Sequence, residues 1–359
     1  MGCVVDSIRG CAPPITRVSS RASELTRVLT CRMLTQSSPS PTQPALVRAP
    51  GVAVNRRTFF QTSSAAAALS LINRPSWARA AGLLQQQPVT TFTELRRGVG
   101  VFTGSGGSIG YLVNADGAMA VDSQFMNTAA LCVEGLKQRS PKGISLLINT
   151  HHHGDHTGGN AAFRGSVQRI VQHDNCAIWH RKVAEQSNTV AAQAFADVTF
   201  SDSWKESFGD ERVDARYYGA GHTGGDGVIT FQKANVVHLG DLYFNRAHPN
   251  IDRAAGAKIG NWITVLERVT KAGDKDTLYI AGHAKENAVT TSRTDVLHFR
   301  NYLSAVLNHA QRGVQGGQTK EQVQSLTALP GFEDVALLNA RLSLGFVLGI
   351  AFDEVTDKK

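Results

Sequence analysis

Residues 150–159 read Thr-His-His-His-Gly-Asp-His-Thr-Gly-Gly and directly follow an apolar run at 144–149. Burying four imidazoles and a carboxylate without partners is costly, because each unsatisfied polar group costs about 1–3 kcal/mol. A divalent cation satisfies all of them, and zinc is typically bound by such nitrogen and oxygen ligands. A surface histidine run is the alternative, but it requires neither the apolar strand before it nor the Gly-Gly pair after it. The stretch therefore predicts a metal site at the end of a buried β-strand.

The spacing inside this motif predicts two metal positions rather than one. His151 and His153 are two residues apart, so an extended backbone places both side chains on the same side. His152 then points away from them. Asp155 and His156 follow where the chain turns into a predicted helix, which directs them to a second position nearby.

Three further polar residues each come directly after a glycine that ends an extended run. They are His222, within Gly-Ala-Gly-His-Thr-Gly-Gly at 219–225, then Asp241, and finally His283. Each is a weak signal when taken alone, since a short motif often occurs without the function. Their order behind the histidine motif is the informative feature.

This ordered set, His-x-His-x-Asp-His followed by Gly-His, Gly-Asp and Gly-His, resembles the metallo-β-lactamase superfamily over about residues 95–290. The resemblance implies an α/β protein with the four-layer αβ/βα fold of that family and a site for two Zn²⁺ ions. It implies these ligands: His151, His153 and His222 for one zinc, Asp155, His156 and His283 for the second, and Asp241 bridging both. Asp122 matches an early acidic motif that supports the site from behind; a turn or helix-cap aspartate is the alternative. Manganese or iron would suit the same ligands.

The implied chemistry is metal-assisted hydrolysis of a small-molecule substrate. Two divalent ions lower the pKa of a water between them, and the bridging hydroxide attacks a carbonyl or phosphoryl centre. Asp155 would be the catalytic residue that orients this nucleophile. Family members that hydrolyse β-lactams generally lack an aspartate at the bridging position, so Asp241 favours an ester or thioester, as in glyoxalase II. A β-lactam hydrolase and a non-catalytic, metal-holding binding protein are the alternatives.

The charge distribution argues against nucleic acid as a partner. With 42% hydrophobic and 18% charged residues, the chain can bury a large core. The formal net charge of +8 resides entirely in residues 1–80, which carry ten arginines against two acidic side chains. Residues 81–359 carry 27 basic and 27 acidic side chains, so this part offers no basic surface.

The first eighty residues resemble a disordered extension followed by a twin-arginine export signal. Arg56 and Arg57 precede a small, apolar run at 62–72 and an Ala-Arg-Ala site at 78–80. This pattern predicts an export-machinery partner, a periplasmic or secreted protein, and a catalytic domain over 81–359. The run is too short for a membrane span. An amphipathic helix packed on the body is the alternative, and Met33 is a second candidate start.

Strand-like and helical runs alternate along the body, which predicts an α/β protein with layered sheets. Strands dominate the first half and helices the end, where helices are predicted over 295–311 and 320–328 and are expected to cover one sheet face or the pocket mouth. Leu342 to Phe352 is an apolar run that packs on the body or mediates a dimer. The oligomeric state is not indicated. Cys132 and Cys176 fall in predicted helices and are interpreted as small buried hydrophobes, with a disulfide between them left open.

Overall fold

The computed structural model describes residues 88–357, so the predicted extension, export signal and start sites lie outside the described residues. Its strands are β1 (Thr91–Arg96), β2 (Val99–Thr103), β3 (Ile109–Asn114), β4 (Gly117–Val121), β5 (Ile144–Ile148), β6 (Arg169–His173), β7 (Val198–Phe200), β8 (Ser203–Phe208), β9 (Glu211–Tyr217), β10 (Gly227–Phe231), β11 (Val236–His238), β12 (Phe244–Asn245), β13 (Leu278–Ile280), β14 (His283–Ala284) and β15 (Thr290–Thr291). Its α-helices are α1 (Met126–Arg139), α2 (Gly154–Thr157), α3 (Asn160–Arg164), α4 (Asp174–Gln186), α5 (Ile259–Ala272), α6 (Arg293–Gln315), α7 (Lys320–Gln324) and α8 (Leu344–Thr356).

Two large sheets form the centre of the fold. The first has the order β1-β2-β3-β4-β5-β6-β7, antiparallel as far as β4 and parallel from β4 to β7. The second has the order β15-β13-β11-β10-β9-β8 and is antiparallel except for the β11–β13 pair. Parallel strands align their carboxyl ends, so the loops that follow β4, β5, β11 and β13 can carry a shared site.

The buried side chains arrange these sheets and the helices in four layers. One core cluster joins the inner faces of both sheets and includes Leu112 and Leu146 from the first and Ile229 from the second. A second cluster packs α1 onto the outer face of the first sheet. A third packs α5, α6 and α8 onto the second sheet around the fully buried Trp262. This is the four-layer αβ/βα architecture that the sequence predicted.

Two deviations from the predicted elements have clear causes. The predicted helix over 320–328 ends at Gln324, because Ser325 closes it and its N–H returns to Gln322. β8 was not predicted, because its side chains alternate between exposed and partly buried positions and its sequence is largely polar. No helix among residues 88–357 is long and apolar enough to cross a membrane.

The two cysteines of the body are not paired. Cys132 and Cys176 are both fully buried with free thiols. Cys132 lies in the cluster between α1 and the first sheet, whereas Cys176 lies on α4 against Gly225. The interpretation as small buried hydrophobes is confirmed, and the open disulfide is excluded in this structure.

Candidate metal centre

The seven predicted ligands reach one place from separate loops. The 150–156 segment follows β5, and Asp241 and His283 follow the neighbouring parallel strands β11 and β13. His222 lies in the loop after β9, which runs parallel to β11 because both flank the antiparallel β10. The three loops of the second sheet therefore leave their strands in the same direction, and the loop after β5 reaches the same place from the first sheet.

One group of donor atoms comprises three imidazole nitrogens and a carboxylate oxygen. His153 Nδ1 lies 3.1 Å from His151 Nε2 and 2.9 Å from His222 Nε2. Asp241 Oδ2 lies 3.5 Å from His222 Nε2 and 3.8 Å from His151 Nε2. All four ligand atoms lie within 4.8 Å of one another, which suits a single cation between them.

The second group lies on the other side of the same aspartate. Asp155 Oδ2 is 3.0 Å from His283 Nε2 and 3.7 Å from His156 Nε2. Asp241 Oδ1 is 3.1 Å from His156 Nε2 and 3.5 Å from His283 Nε2. The two carboxylate oxygens of Asp241 therefore face two different donor groups, which is the arrangement of a bridging ligand.

Two buried polar atoms between the donor groups lack hydrogen-bond partners, which indicates that these residues fit a metal. His156 Nε2 and Asp241 Oδ1 are buried and lie 3.1 Å apart, but neither forms a hydrogen bond of suitable geometry within the described residues. Such atoms are rare in folded proteins, since each loses its hydration without compensation. Neutral imidazoles and carboxylates are the donor set that zinc accepts, so a divalent cation would satisfy both atoms.

The nitrogens on the far sides of four imidazoles have their own partners, which fixes each ring. Thr150 Oγ1 lies 3.1 Å from His151 Nδ1, and the Asn250 carbonyl oxygen lies 2.9 Å from His222 Nδ1. The other two rings each contact a carboxylate. They are Asp252, whose Oδ2 is 3.0 Å from His153 Nε2, and Asp122, whose Oδ2 is 2.8 Å from His156 Nδ1. Such outer contacts set the tautomer and direct the inner nitrogen towards the metal.

Asp122 has the supporting position that the resemblance implied. Its Oδ1 accepts a hydrogen bond from the Thr150 backbone N–H at 2.7 Å, and its Oδ2 accepts one from Thr150 Oγ1 at 2.8 Å. Its backbone is left-handed, with φ of 66°, a conformation that non-glycine residues seldom adopt. The carboxylate thus ties the end of β4 to the start of the histidine motif, and it is not a helix cap.

Burial and neighbouring groups set the protonation of the ligands. Burial, reinforced by adjacent imidazoles, lowers the pKa of His151 well below its usual value, and burial lowers the pKa of His222 to about 3. Burial would raise the pKa of Asp155, but His156 and the hydrogen bond from His283 lower it to about 2. His151 and His222 are thus neutral and Asp155 is ionised. Against the effect of burial, Asp241 and Asp155 raise the pKa of His156 and His283, so a metal bound at these two rings would displace their protons.

The centre opens into a cleft of about 1080 Å³. His151, His156, His222 and Asp241 are at most 3% exposed. The side chains of His153, Asp155 and His283 are 19–27% exposed and line the cleft. A substrate must therefore approach over these three residues.

The structure shows the surroundings of the histidines and aromatic residues outside the predicted ligand set. His152 is outside the seven-residue cluster, as predicted, but it is buried against Trp179 with its Nε2 3.5 Å from Asp252. Tyr243 is a core residue, whereas Phe244 lies on the cleft and stacks on His283 at 5.4 Å. The remaining histidines contribute no donor atom to the seven-residue cluster. They are His173, His180, His238, His248, His298 and His309.

Asp252 was not predicted as part of the site. Nothing local in the sequence shows that it faces His153 from 99 positions away. A polar residue in the loop that follows Asp241 was the available signal.

Comparison with known proteins shows the family of this chain. The sequence profile of the Metallo-beta-lactamase superfamily matches residues 103–283, half of the chain, and includes all seven clustered side chains. The chain belongs to the metallo-beta-lactamase superfamily. One curated superfamily member, "Metallo-beta-lactamase type 2" of Bacillus sp. (strain 170), is 26% identical over 180 residues, or 50% of this chain and 67% of that protein. Another, from Bacillus cereus, is 23% identical over 190 residues, 52% of this chain and 71% of that protein.

Solved structures of the superfamily share the fold. A metallo-beta-lactamase from Pontibacter korlensis has a TM-score of 0.51 at 18% identity, covering 60% of this chain and 99% of its own. The sec-alkylsulfatase Pisa1 from Pseudomonas sp. has a TM-score of 0.59 at 14% identity. That match covers 75% of this chain but half of the alkylsulfatase. At these identities the likeness concerns the fold alone.

We expect Asp252→Ala to lower metal affinity by roughly 10- to 100-fold, the usual effect of losing a partner behind a ligand. The reason is that His153 Nε2 would lose the carboxylate that holds its ring. Competition with a chromophoric chelator measures the affinity.

Asp252 also caps a short turn by accepting a hydrogen bond from the Ala255 N–H. Thr319→Ala is the matched control, because it removes the cap of α7, which is not part of the metal centre. Unchanged metal binding in Asp252→Ala would show that His153 does not need this carboxylate.

Proposed function

We propose that this superfamily member is a dinuclear metal-dependent hydrolase, with zinc as the metal, that cleaves an ester or thioester. The observation that carries the proposal is Asp241, whose two oxygens face two separate donor groups at the floor of an open cleft. His151, His153 and His222 would hold one ion, and Asp155, His156 and His283 the other.

Bound divalent cations would supply Lewis acidity and activate water for attack on a carbonyl carbon. The side chains of this protein determine where that attack occurs. His153, Asp155 and His283 are the partly exposed members of the cluster, whereas the other four side chains are buried, so the cleft is the direction of approach. Asp155 is ionised, so its carboxylate can accept a hydrogen bond from a water at the cleft floor and orient it.

β-Lactam hydrolysis is a second candidate. It is supported by the two Bacillus relatives, which are named metallo-beta-lactamases and are 26% and 23% identical to this chain. An ester or thioester remains the first choice because Asp241 occupies the bridging position, where β-lactam hydrolases of the family generally have another residue. Sulfate esters deserve inclusion among test substrates, since an alkylsulfatase shares the fold over 75% of this chain.

The decisive experiment tests metal-loaded protein on ester, thioester, lactone, cephalosporin, phosphoester and sulfate-ester substrates, with metal content measured in parallel. We expect ester or thioester turnover that a chelator abolishes and added zinc restores. Asp155→Ala should lower kcat by about 10²-fold while the far-ultraviolet circular dichroism is unchanged.

Asp116→Ala is the control, since that aspartate pairs with Lys142 on the surface. Exclusive turnover of the cephalosporin would replace the ester proposal with the second candidate. Metal binding without turnover of any substrate would favour a binding protein.

A further inference from the structure

The C-terminal segment forms an apolar wall on the cleft that holds the metal centre. Leu338, Leu342, Phe346 and Ile350 recur every four residues and all line the cleft. Phe346 and Ile350 lie on one face of α8, one turn apart, because residues separated by four are neighbours on a helix. These four side chains, here called the apolar wall, lie outside the family match, which ends at residue 283.

Apolar side chains also border the cleft elsewhere. Phe125, 44% exposed, Phe244 and Ile251 line it together with the ligands His153 and His283. The cleft thus combines a polar floor, where the ligands lie, with an apolar side. Arg253 and Arg341 also line it, and each is held by a partner, Arg253 by Asp357 and Arg341 by Asn250. An elongated molecule with a polar, hydrolysable group and an apolar chain matches both parts.

The apolar wall is firmly attached to the loop behind the metal ligands. Arg341 donates to Asn250 Oδ1 at 3.1 Å, and the Asn250 carbonyl faces His222 Nδ1. Nearby, the His248 N–H donates to the Ala336 carbonyl at 3.0 Å. These contacts hold the wall at a fixed position relative to the ligands, as a specificity surface requires.

At the far end, α8 is secured by Glu354, whose carboxylate accepts hydrogen bonds from the N–H groups of Ile259 and Gly260 at 2.7 and 2.9 Å. Both donors lie in the first turn of α5, where a carboxylate is favourable. The wall is therefore part of the rigid fold at both of its ends.

We propose that the apolar wall binds the acyl chain of the substrate, so that the enzyme prefers esters or thioesters of medium-chain carboxylic acids over acetyl esters. This inference rests on the proposed hydrolase function and specifies its substrate class. Continuity with the metal centre identifies the occupant, because a chain lying on Phe346 and Ile350 belongs to a molecule whose polar end reaches the ligands in the same cleft.

The test is a series of p-nitrophenyl esters from acetate through butyrate and hexanoate to octanoate, hydrolysed by the metal-loaded protein. Each methylene buried on an apolar surface contributes about a threefold to fourfold gain. With partial burial, kcat/KM should rise by about 10²-fold from acetate to octanoate. A flat or falling series would overturn the proposal.

Variants of the apolar wall test whether its side chains cause the preference for longer acyl chains. Phe346→Gln and Ile350→Gln should each lower the ratio of kcat/KM for octanoate to that for acetate about tenfold. Phe346→Leu should keep the preference. Ile178→Gln is the matched control, because Ile178 is 61% exposed on α4 and does not line the cleft. An unchanged ratio in both glutamine variants, with folding confirmed by thermal melts, would contradict the assignment.

A binding measurement separates this proposal from the hydrolase proposal. Calorimetric titration of the metal-loaded protein with octanoate and with acetate compares two carboxylates that differ only in chain length. Tighter octanoate binding that Ile350→Gln weakens would support the wall even if no ester were hydrolysed, in which case only the hydrolase proposal would fail. Equal binding of both acids would reject the wall, whatever the turnover.

Discussion

Asp241→Asn is expected to lower kcat/KM by on the order of 10³-fold and to reduce the bound metal from two ions to one or none. The reason is that both carboxylate oxygens are in use, Oδ1 towards His156 and His283 and Oδ2 towards His151 and His222. An amide offers one oxygen, and its NH2 group would face the other donor group without accepting a cation. Losing a residue shared by both donor groups should therefore cost more than losing an outer hydrogen-bond partner, which costs roughly 10- to 100-fold in metal affinity or activity.

Metal analysis and steady-state kinetics on the same preparation measure both effects. Asp214→Asn is a suitable control, because this aspartate of β9 pairs with Lys205 and lies outside the centre. Two tightly bound ions and near-normal turnover in Asp241→Asn would show that this residue does not bridge.

Gly282→Ala should produce a comparable loss without altering any ligand. A Cβ at Gly282 would lie 2.0 Å from Asp241 Oδ1 and 2.7 Å from the Gly240 carbonyl carbon, both far inside van der Waals contact. Either the carboxylate or the end of β13 must move. We expect kcat/KM to fall by 10²- to 10³-fold, since misplacement by about 1 Å costs roughly 10²-fold, and stability to fall by about 1–3 kcal/mol.

The control for this prediction is Gly165→Ala, because no atom lies within 4 Å of the added methyl group and its φ is −72°. Denaturant unfolding reports the stability, and metal titration reports the centre. If Gly282→Ala retained full metal affinity, the tight contact with Asp241 would have no functional importance.

The sequence predicted the parts of this molecule that are encoded locally. The histidine motif after an apolar strand, and glycines before His222, Asp241 and His283, are short patterns that a single chain displays directly. The structure brings all seven side chains together as expected. Their role as metal ligands remains a prediction, as does the export signal.

The sequence did not predict contacts between residues that lie far apart in the chain. Asp252 faces His153 across 99 positions, and Arg341 reaches Asn250 across 91. Neither pair has a local spacing, so only the folded chain reveals it. The C-terminal helices were predicted to cover one sheet face or the pocket mouth, and α8 packs on the second sheet with Phe346 and Ile350 on the cleft. Which side chains face the cleft became apparent only once α8 was placed beside the centre.

The loop at 246–252 contacts both the metal ligands and the C-terminal segment, which bears on how this enzyme can be re-engineered. Asn250 faces His222 with its carbonyl and accepts from Arg341 with its side chain. Laboratory evolution aimed at new substrates should therefore randomise Phe346 and Ile350 while leaving this loop constant. A graft of a C-terminal segment from another homologue should carry the matching loop with it as one cassette.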